Sequence, residues 1–153
     1  MNPSRWILVG QPNCGKSTLF NSVAGYRSVA GNFPGITVGY TRSQVDIQGH
    51  TVDLIDLPGL YSLHAQDPAE QAALNFLCSE EGRSGVLINL LDASVLSRSL
   101  ELTVQLTEWN RPMVVGLNMM DDAARKGLEI DPVALSRGLG VPVVPLIARK
   151  GEG

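Results

Sequence analysis

The segment 10–17, G-Q-P-N-C-G-K-S, constrains the fold of this chain more than any other stretch. It fits the phosphate-binding template G-x-x-x-x-G-K-[ST], and it lies between an apolar run at 6–9 and a helical pattern at 16–24. A strand, a glycine-rich loop and a helix in this order form the context that the template needs. The loop N–H groups and the helix amino end both attract an anion. The sequence therefore predicts a nucleotide-phosphate site here.

Within this phosphate loop, residues 10–17, the template assigns roles to particular residues. Gly10 and Gly15 let the backbone curl around an anion. Lys16 is predicted to reach the β- and γ-phosphates, and the Ser17 hydroxyl is predicted to bind Mg²⁺. The residues predicted to line the nucleotide in this region are Gly10, Asn13, Cys14, Gly15, Lys16, Ser17 and Thr18.

A second signal, Asp56-x-x-Gly59, follows the carboxyl end of a predicted strand. The Asp56 carboxylate could hold Mg²⁺ through a water molecule, and the Gly59 N–H could meet the γ-phosphate. Alone, Asp-x-x-Gly is a common turn. With the phosphate loop upstream, it predicts a metal and γ-phosphate site.

A third signal, Asn118-Met119-Met120-Asp121, follows an apolar strand and indicates which base is bound. A carboxylate can accept two hydrogen bonds from the N1–H and N2–H₂ edge of guanine, whereas adenine offers no such pair there. Asp121 is therefore predicted to select GTP over ATP. Asn118 is predicted to tie this loop back to the phosphate loop, and Met119 to line the nucleotide.

The rest of the chain alternates between strand and helix patterns. We predict strands at 6–9, 39–47, 50–55, 86–91, 112–117 and 141–146, with helices at about 16–24, 68–79, 96–109, 119–126 and 132–138. Gln48-Gly49 predicts a hairpin turn between the second and third of these strands. This alternation predicts an α/β fold with a six-stranded, mostly parallel sheet, one antiparallel strand and helices on both faces. Ligands bind such folds at the carboxyl ends of the strands.

Composition limits the classes of protein to consider. With 153 residues, 44% of them apolar, the chain can form one domain with a core. A net charge of −3 with 12 scattered Lys and Arg gives no basic surface for nucleic acid. Two distant cysteines favour neither a disulfide framework nor a metal knuckle. With no long apolar run and no leader pattern, we expect a soluble cytosolic chain.

Two further segments narrow the interpretation to a family. Residues 31–38, G-N-F-P-G-I-T-V, and 56–63, D-L-P-G-L-Y-S-L, together resemble the amino-terminal G domain of the bacterial ferrous iron transporter FeoB. The resemblance covers residues 5–151. It implies a three-layer, Ras-like P-loop GTPase fold that hydrolyses GTP to GDP and phosphate with Mg²⁺ and couples nucleotide state to Fe(II) uptake. It does not imply that iron binds to this domain.

The resemblance also implies two switch segments: switch I at 27–38 and switch II at 56–68. Thr37 would bind Mg²⁺ and the γ-phosphate, and with Asn13, Lys16 and Gly59 it completes the expected catalytic set. The magnesium residues are then Ser17, Thr37 and Asp56. Arg27 could act as an arginine finger, although only its charge supports that role.

Leu60 stands where many G proteins have a glutamine that orients the attacking water. Because an apolar side chain cannot hydrogen-bond water, the catalytic contribution must come from elsewhere. The family suggests K⁺, held by Asn13 and by backbone carbonyls such as those of Gly31 and Phe33. A fixed cation there would stabilise the charge that hydrolysis builds on the phosphates.

The segment 147–150, I-A-R-K, departs from the family's last guanine motif, which reads Ser-Ala followed by Arg or Lys. The Ala148 N–H could still donate to guanine O6. Ile147 replaces the serine, so the loop loses a hydroxyl that would steady it. We therefore expect weaker nucleotide binding and faster GDP release.

The family context also implies what surrounds this domain. We interpret residues 1–153 as a G domain from a longer protein, without the family's final helix, helical regulatory domain and membrane domain. The expected partners are guanine nucleotide, the membrane domain and a small accessory protein, at the cytoplasmic face of the bacterial inner membrane. Two alternatives stay open: an Era-like GTPase of ribosome or tRNA maturation, and a guanine-nucleotide sensor that is not a catalyst.

Overall fold

The computed structural model of the chain describes residues 4–25, 28–34 and 37–153. Its strands are β1 Ser4–Gly10, β2 Val29–Asn32, β3 Gly39–Ile47, β4 His50–Asp56, β5 Val86–Asp92, β6 Met113–Asn118 and β7 Val143–Pro145. Its helices are α1 Lys16–Ala24, α2 Pro68–Cys78, α3 Glu80–Arg83, α4 Leu96–Thr107, α5 Met120–Arg125 and α6 Pro132–Leu139, with 3₁₀ turns at Ala93–Val95 and Ala148–Lys150. None of the helices in these described ranges is long and apolar enough to span a membrane.

The strands form one sheet in the order β2-β3-β4-β1-β5-β6-β7. β3 is antiparallel to β2 and β4, and the other neighbouring pairs are parallel. The predicted mixed α/β fold with one antiparallel strand is therefore confirmed. The strand count of six is wrong, because β2 forms within the predicted switch I loop and extends the sheet to seven strands. β2 depends on backbone pairing with β3, which local side-chain periodicity does not reveal.

Side chains alternate between the two faces of the sheet and form two cores. Ile7 and Val9 of β1 pack in the larger core, beneath α2, α4 and α5, whereas Leu8 packs in the smaller core beneath α1. These three β1 side chains, which lie on both faces of the sheet, are almost fully buried, as expected for a central strand covered on both faces. The result is a three-layer domain.

Local signals explain where several elements begin and turn. Asp67 caps α2 by accepting a hydrogen bond from the Glu70 N–H at 2.9 Å, and Pro68 follows as the first helical residue. Gln48 and Gly49 both have positive φ, at 53° and 81°, as the two-residue hairpin between β3 and β4 requires. The parallel strands β1, β4, β5 and β6 all end at one edge of the sheet. The motif residues follow these strand ends.

Candidate functional site

The phosphate loop connects the end of β1 to α1, as predicted. Gly15 has φ of 97°, and a Cβ there would lie 2.3 Å from Asn118 Nδ2, so only glycine fits. At Gly10 a Cβ would lie 2.6 Å from the Leu90 backbone oxygen, so a side chain is excluded there as well. No side chain caps the first turn of α1. Its N–H groups therefore remain available to an anion.

Lys16 is folded against the phosphate loop. Its ammonium group donates to the backbone oxygens of Gly10 at 3.2 Å and Gln11 at 3.3 Å, and the residue is only 7% exposed. Backbone oxygens are weaker partners for an ammonium group than phosphate oxygens, because they carry no net charge. The side chain is thus positioned within the loop whose N–H groups would hold the phosphates.

Ser17 and Asp56, two of the three residues predicted to bind magnesium, lie in direct contact. The Ser17 hydroxyl donates to Asp56 Oδ2 at 2.9 Å. Asp56 Oδ1 is buried and has no hydrogen-bond partner among the described residues. Burial raises the pKa of the Asp56 carboxyl, while the Ser17 hydrogen bond and the Lys16 charge oppose that rise. A hydroxyl beside a buried carboxylate oxygen that lacks a partner fits a hard, oxygen-seeking cation such as Mg²⁺.

Switch II begins at Asp56 and lies against the phosphate loop. A Cβ on Gly59 would lie 2.7 Å from the Pro12 ring, so the two backbones approach closely at a position that requires glycine. The next residue, Leu60, is fully buried in the larger core, and its N–H donates to the Gly10 oxygen at 3.0 Å. The side chain at the usual glutamine position is therefore part of the core.

Three residues that the sequence analysis did not identify hold the switch II backbone. Glu70, which is buried, accepts hydrogen bonds from the Tyr61 N–H at 3.0 Å and the Gln66 N–H at 2.6 Å. Gln105 of α4 accepts from the Leu63 N–H at 2.6 Å. The Asp67-x-x-Glu70 spacing is a capping-box signal and could have identified Glu70.

The third of these residues, Gln11, connects the phosphate loop to two other segments. Its amide donates to the Arg98 backbone oxygen at 2.9 Å and to the Tyr61 backbone oxygen at 3.4 Å. No local sequence signal could have revealed Gln11 or Gln105, because both partners lie far away along the chain.

Asn118 connects the phosphate loop to the 147–150 loop. Its amide donates to the Cys14 backbone oxygen at 3.0 Å, and its Oδ1 accepts from the Ala148 N–H at 2.9 Å. The side chain is 3% exposed, so both bonds are protected from water. The predicted tie to the phosphate loop is confirmed, and the second bond places Ala148 beside it.

Asp121 is the second residue of α5. Met119, which has a positive φ of 61°, directly precedes this helix. The Asp121 Oδ1 accepts from the Asp122 N–H at 3.0 Å, and its Oδ2 is ion-paired with Arg149. The hydrogen bond from Arg149 is the main cause that lowers the pKa of the Asp121 carboxyl, so the group is charged at neutral pH. No sequence motif predicts Arg149 as its partner.

Two adjoining pockets lie between these loops. The first, of about 160 Å³, is lined by Gly15, Thr18, Asn118, Met119, Asp121, Asp122, Ile147 and Arg149. The second, of about 350 Å³, is lined by Asn13, Gly15, Lys16, Ser17, Thr18 and Met119. The two pockets adjoin, because they share Gly15, Thr18 and Met119. Asp121 lines the first pocket and Lys16 lines the second, so the two pockets carry the chemistry predicted for base and phosphate.

The predicted switch I residues are not brought to these pockets. Gly31, in β2, pairs with Tyr40 of β3. β2 lies three strand spacings, or roughly 14 Å, from β1. Phe33 is buried against the Tyr40 and Phe76 rings, and its N–H donates to the Val38 oxygen at 3.0 Å. Thr37 is exposed and makes no hydrogen bond to Ser17 or Asp56. Arg27 lies outside the described residues.

Comparison with known proteins places these features in context. The family of ferrous iron transport protein B matches residues 4–153. The Fe(2+) transporter FeoB of Salmonella typhimurium is 45% identical over 150 residues, which are 95% of this chain and 19% of that protein. The chain therefore spans about a fifth of the length of this relative.

Solved structures of FeoB domains are also similar to this chain. The cytosolic domain of FeoB from L. pneumophila has a TM-score of 0.91 and 40% identity, covering 98% of this chain and 65% of that one. A mutant NFeoB from S. thermophilus, bound to mGDP, has a TM-score of 0.89 and 38% identity, covering 97% of this chain and 56% of that one.

Proposed function

Because the chain belongs to the family of ferrous iron transport protein B, we propose that it binds guanine nucleotide and hydrolyses GTP to GDP and phosphate. The observation that carries this proposal is that two adjoining pockets are lined by the Asp121 carboxylate and by the buried Lys16 side chain, respectively. A guanine base would match the first pocket and a chain of phosphates would match the second. The mGDP in a related domain supports the same assignment.

Base selection follows from Asp121, which lines the smaller pocket and whose carboxylate can accept from guanine N1–H and N2–H₂. The Ala148 N–H donates to Asn118 Oδ1 in this conformation, so it would have to leave that bond before it could donate to guanine O6. Asn118 positions both the phosphate loop and Ala148 but is itself buried behind them. Adenine would leave the Asp121 charge without partners, which disfavours ATP.

The phosphate end supplies the chemistry of transfer. Lys16 and the N–H groups of the first turn of α1 would bind the phosphates, and the Gly59 N–H, beside Pro12, would meet the γ-phosphate. Ser17 and Asp56 would hold Mg²⁺, which supplies charge that neutralises the β- and γ-phosphate oxygens. Leu60 is in the core, so this chain places no glutamine side chain at the usual water-orienting position.

We also propose that K⁺ activates the reaction. The Asn13 side chain is exposed at the phosphate loop, where its φ is 65°. Gly31 lies on the edge strand β2 and Phe33 directly follows it, and the two do not form a cation site with Asn13 in this conformation. Switch I must therefore move to the phosphate loop before these carbonyls, and Thr37 with Mg²⁺, can contact the nucleotide. That movement is the kind of switching expected on GTP binding.

In the parent protein, this domain would sit at the cytoplasmic face of the bacterial inner membrane, joined to a membrane domain that carries Fe(II). Nucleotide state would then regulate iron uptake, with an accessory protein as a further partner. Family membership favours this role over a GTPase of ribosome or tRNA maturation. The buried Leu60 keeps a second candidate, a nucleotide sensor with incidental turnover, under consideration.

Multiple-turnover GTP hydrolysis tests the proposal. The wild-type chain is assayed with Mg²⁺ in K⁺ and in Na⁺ buffer, beside Asn13→Ala and with ATP as the alternative substrate. We expect GTP to be hydrolysed faster in K⁺, with the K⁺ effect absent in Asn13→Ala. A rate that K⁺ does not change would refute the cation role. Tight GTP binding without turnover would favour the sensor, and equal use of ATP would overturn the role of Asp121.

A further inference from the structure

The Asp121 carboxylate has a partner within the protein. Arg149 donates to Asp121 Oδ2, and its guanidinium group also lies 3.8 Å from Asp122 Oδ1. Asp121 is largely sheltered, with 16% of its side chain exposed, whereas the Arg149 side chain is 55% exposed. Both side chains line the 160 Å³ pocket, and the arginine is the more exposed member of the pair.

The 147–150 loop holds Arg149 in this place. Ile147 and Glu152 exchange two backbone hydrogen bonds, at 2.8 and 3.3 Å, so the segment folds into a tight turn. The Ala148 N–H is bound by Asn118 Oδ1 on the buried side of the loop. With both its ends fixed, the loop directs Arg149 to Asp121 and leaves Lys150 more distant, at 4.0 Å from the same carboxylate.

Guanine recognition requires the atoms that Arg149 contacts. The N1–H and N2–H₂ groups of guanine would donate to the Asp121 oxygens, each of which can accept two hydrogen bonds. Oδ1 accepts one bond from the Asp122 N–H, and Oδ2 is paired with the Arg149 guanidinium group. Arg149 also lines the pocket in which the base would lie. A bound guanine and the Arg149–Asp121 pair therefore compete.

We propose that Arg149 competes with guanine for the Asp121 carboxylate and so weakens nucleotide binding at this site. The inference rests on the proposed function, because it assumes that Asp121 binds the base. It identifies a residue of this chain that lowers affinity, beside the Ile147 replacement that removes a hydroxyl from the same loop. A site with this built-in competitor releases GDP more readily than one whose carboxylate is free.

The size of the effect follows from the exposure of the pair. An ion pair with one exposed partner contributes little, so removing it should tighten GDP binding about two- to fivefold. The gain should shrink toward zero at about 1 M NaCl, because salt screens an exposed pair. A role for Arg149 in packing on the base, or in attracting the phosphates, predicts the opposite sign.

Equilibrium binding of mant-GDP, with the fluorescent group on the ribose, tests this on the whole chain. Arg149→Met keeps an unbranched chain like the arginine stem and removes the guanidinium group, and Arg149→Gln provides a second neutral variant. Arg137→Met, at an exposed position on α6, is the matched control for losing one positive charge. Thermal unfolding of each variant shows that it is folded.

The expected result is tighter mant-GDP binding in both Arg149 variants, unchanged binding in Arg137→Met, and a gain that disappears at high salt. Equal or weaker binding in the Arg149 variants would overturn the inference while leaving the proposed function intact. A gain that persists at high salt, or that Arg137→Met reproduces, would also overturn it. If the wild-type chain binds no mant-GDP, the proposed function fails and the inference fails with it.

Discussion

The two halves of the candidate site are built in different ways. The loops that would bind base, phosphates and magnesium are connected by the hydrogen bonds of Asn118 and by the Ser17–Asp56 contact. Switch I instead contributes a strand at the far edge of the sheet, and Phe33, which follows that strand, packs with Tyr40 and Phe76. One half is preformed, whereas the described residues of the other half pack elsewhere on the sheet.

The difference between the two halves indicates how GDP and GTP could produce different conformations of the domain. GDP needs only the preformed half, because it has no γ-phosphate. Under the proposed function, GTP would offer a contact for Thr37, and switch I would have to move from its present position to make that contact. A ligand shifts such an equilibrium only by its differential affinity for the two states. If the movement breaks the β2–β3 pairing, the contacts of Phe33 would oppose the GTP-bound arrangement.

The largest effect is expected when the residue proposed to contact the phosphates is removed from the preformed half. Lys16→Ala should raise the Kd for GTP about 100-fold, roughly 3 kcal/mol, because a buried charge partner of the phosphates is lost. Isothermal titration calorimetry measures the change, with Lys126→Ala, an exposed lysine beside Ser94, as the control. A Kd within a few-fold of wild type would mean that Lys16 stays folded on the loop.

The second-largest effect concerns Asn118, which connects the phosphate loop to the 147–150 loop. Asn118→Ala leaves the Cys14 oxygen and the Ala148 N–H buried without a partner, which should lower the free energy of unfolding by about 2 to 3 kcal/mol. GDP binding should weaken about tenfold or more, because both loops lose their positions. Urea unfolding and mant-GDP titration check this, with the exposed Asn75→Ala as control. Full stability in Asn118→Ala would refute the connecting role.

Phe33→Ala tests the switch I half. Truncating this ring should lower the free energy of unfolding by about 2 kcal/mol, since Phe33 is 7% exposed but packs at the sheet edge. GDP affinity should stay within about twofold of wild type, because GDP needs only the preformed half. Val29→Ala, at an exposed position of the preceding strand β2, is the control. A large loss of GDP affinity would place β2 in the base-and-phosphate half.

The smallest effect concerns the magnesium carboxylate. Burial raises the pKa of Asp56, so the folded chain binds that proton more tightly than the unfolded chain does. Without ligands, the stability of the wild-type chain should therefore fall as pH rises from the unfolded-state pKa through the folded-state pKa. Asp56→Asn should lack this part of the fall and gain about 1 kcal/mol at neutral pH.

Urea unfolding across pH measures the Asp56→Asn effect, and GTP titration with and without Mg²⁺ checks the metal role. Asp56→Asn should lose the Mg²⁺-dependent part of GTP affinity. An Asp56→Asn protein that is less stable than wild type at neutral pH would contradict the view that the buried carboxylate lacks a sufficient partner.

Most residues of the preformed half could be predicted from the sequence, because each motif requires particular residue types at fixed positions. Glycine at 10, 15 and 59 is required by close backbone approach, and the Asn118 amide can satisfy two loops at once. The β2 strand could not be predicted, since its 29–32 segment lacks alternation and depends on pairing with β3. The Arg149–Asp121 pair was missed because a motif indicates what a carboxylate binds but not what competes for it.

Hydrogen–deuterium exchange of residues 29–41 tests the central claim most directly, by comparing the GDP-bound chain with the chain bound to GMPPNP, Mg²⁺ and K⁺. We expect the β2 and β3 amides to be protected with GDP and to exchange faster with GMPPNP, as switch I leaves the sheet edge. The amides of 113–121 should be equally protected in both. Identical exchange of 29–41 in the two states would contradict the account, because switch I would then not move to complete the site.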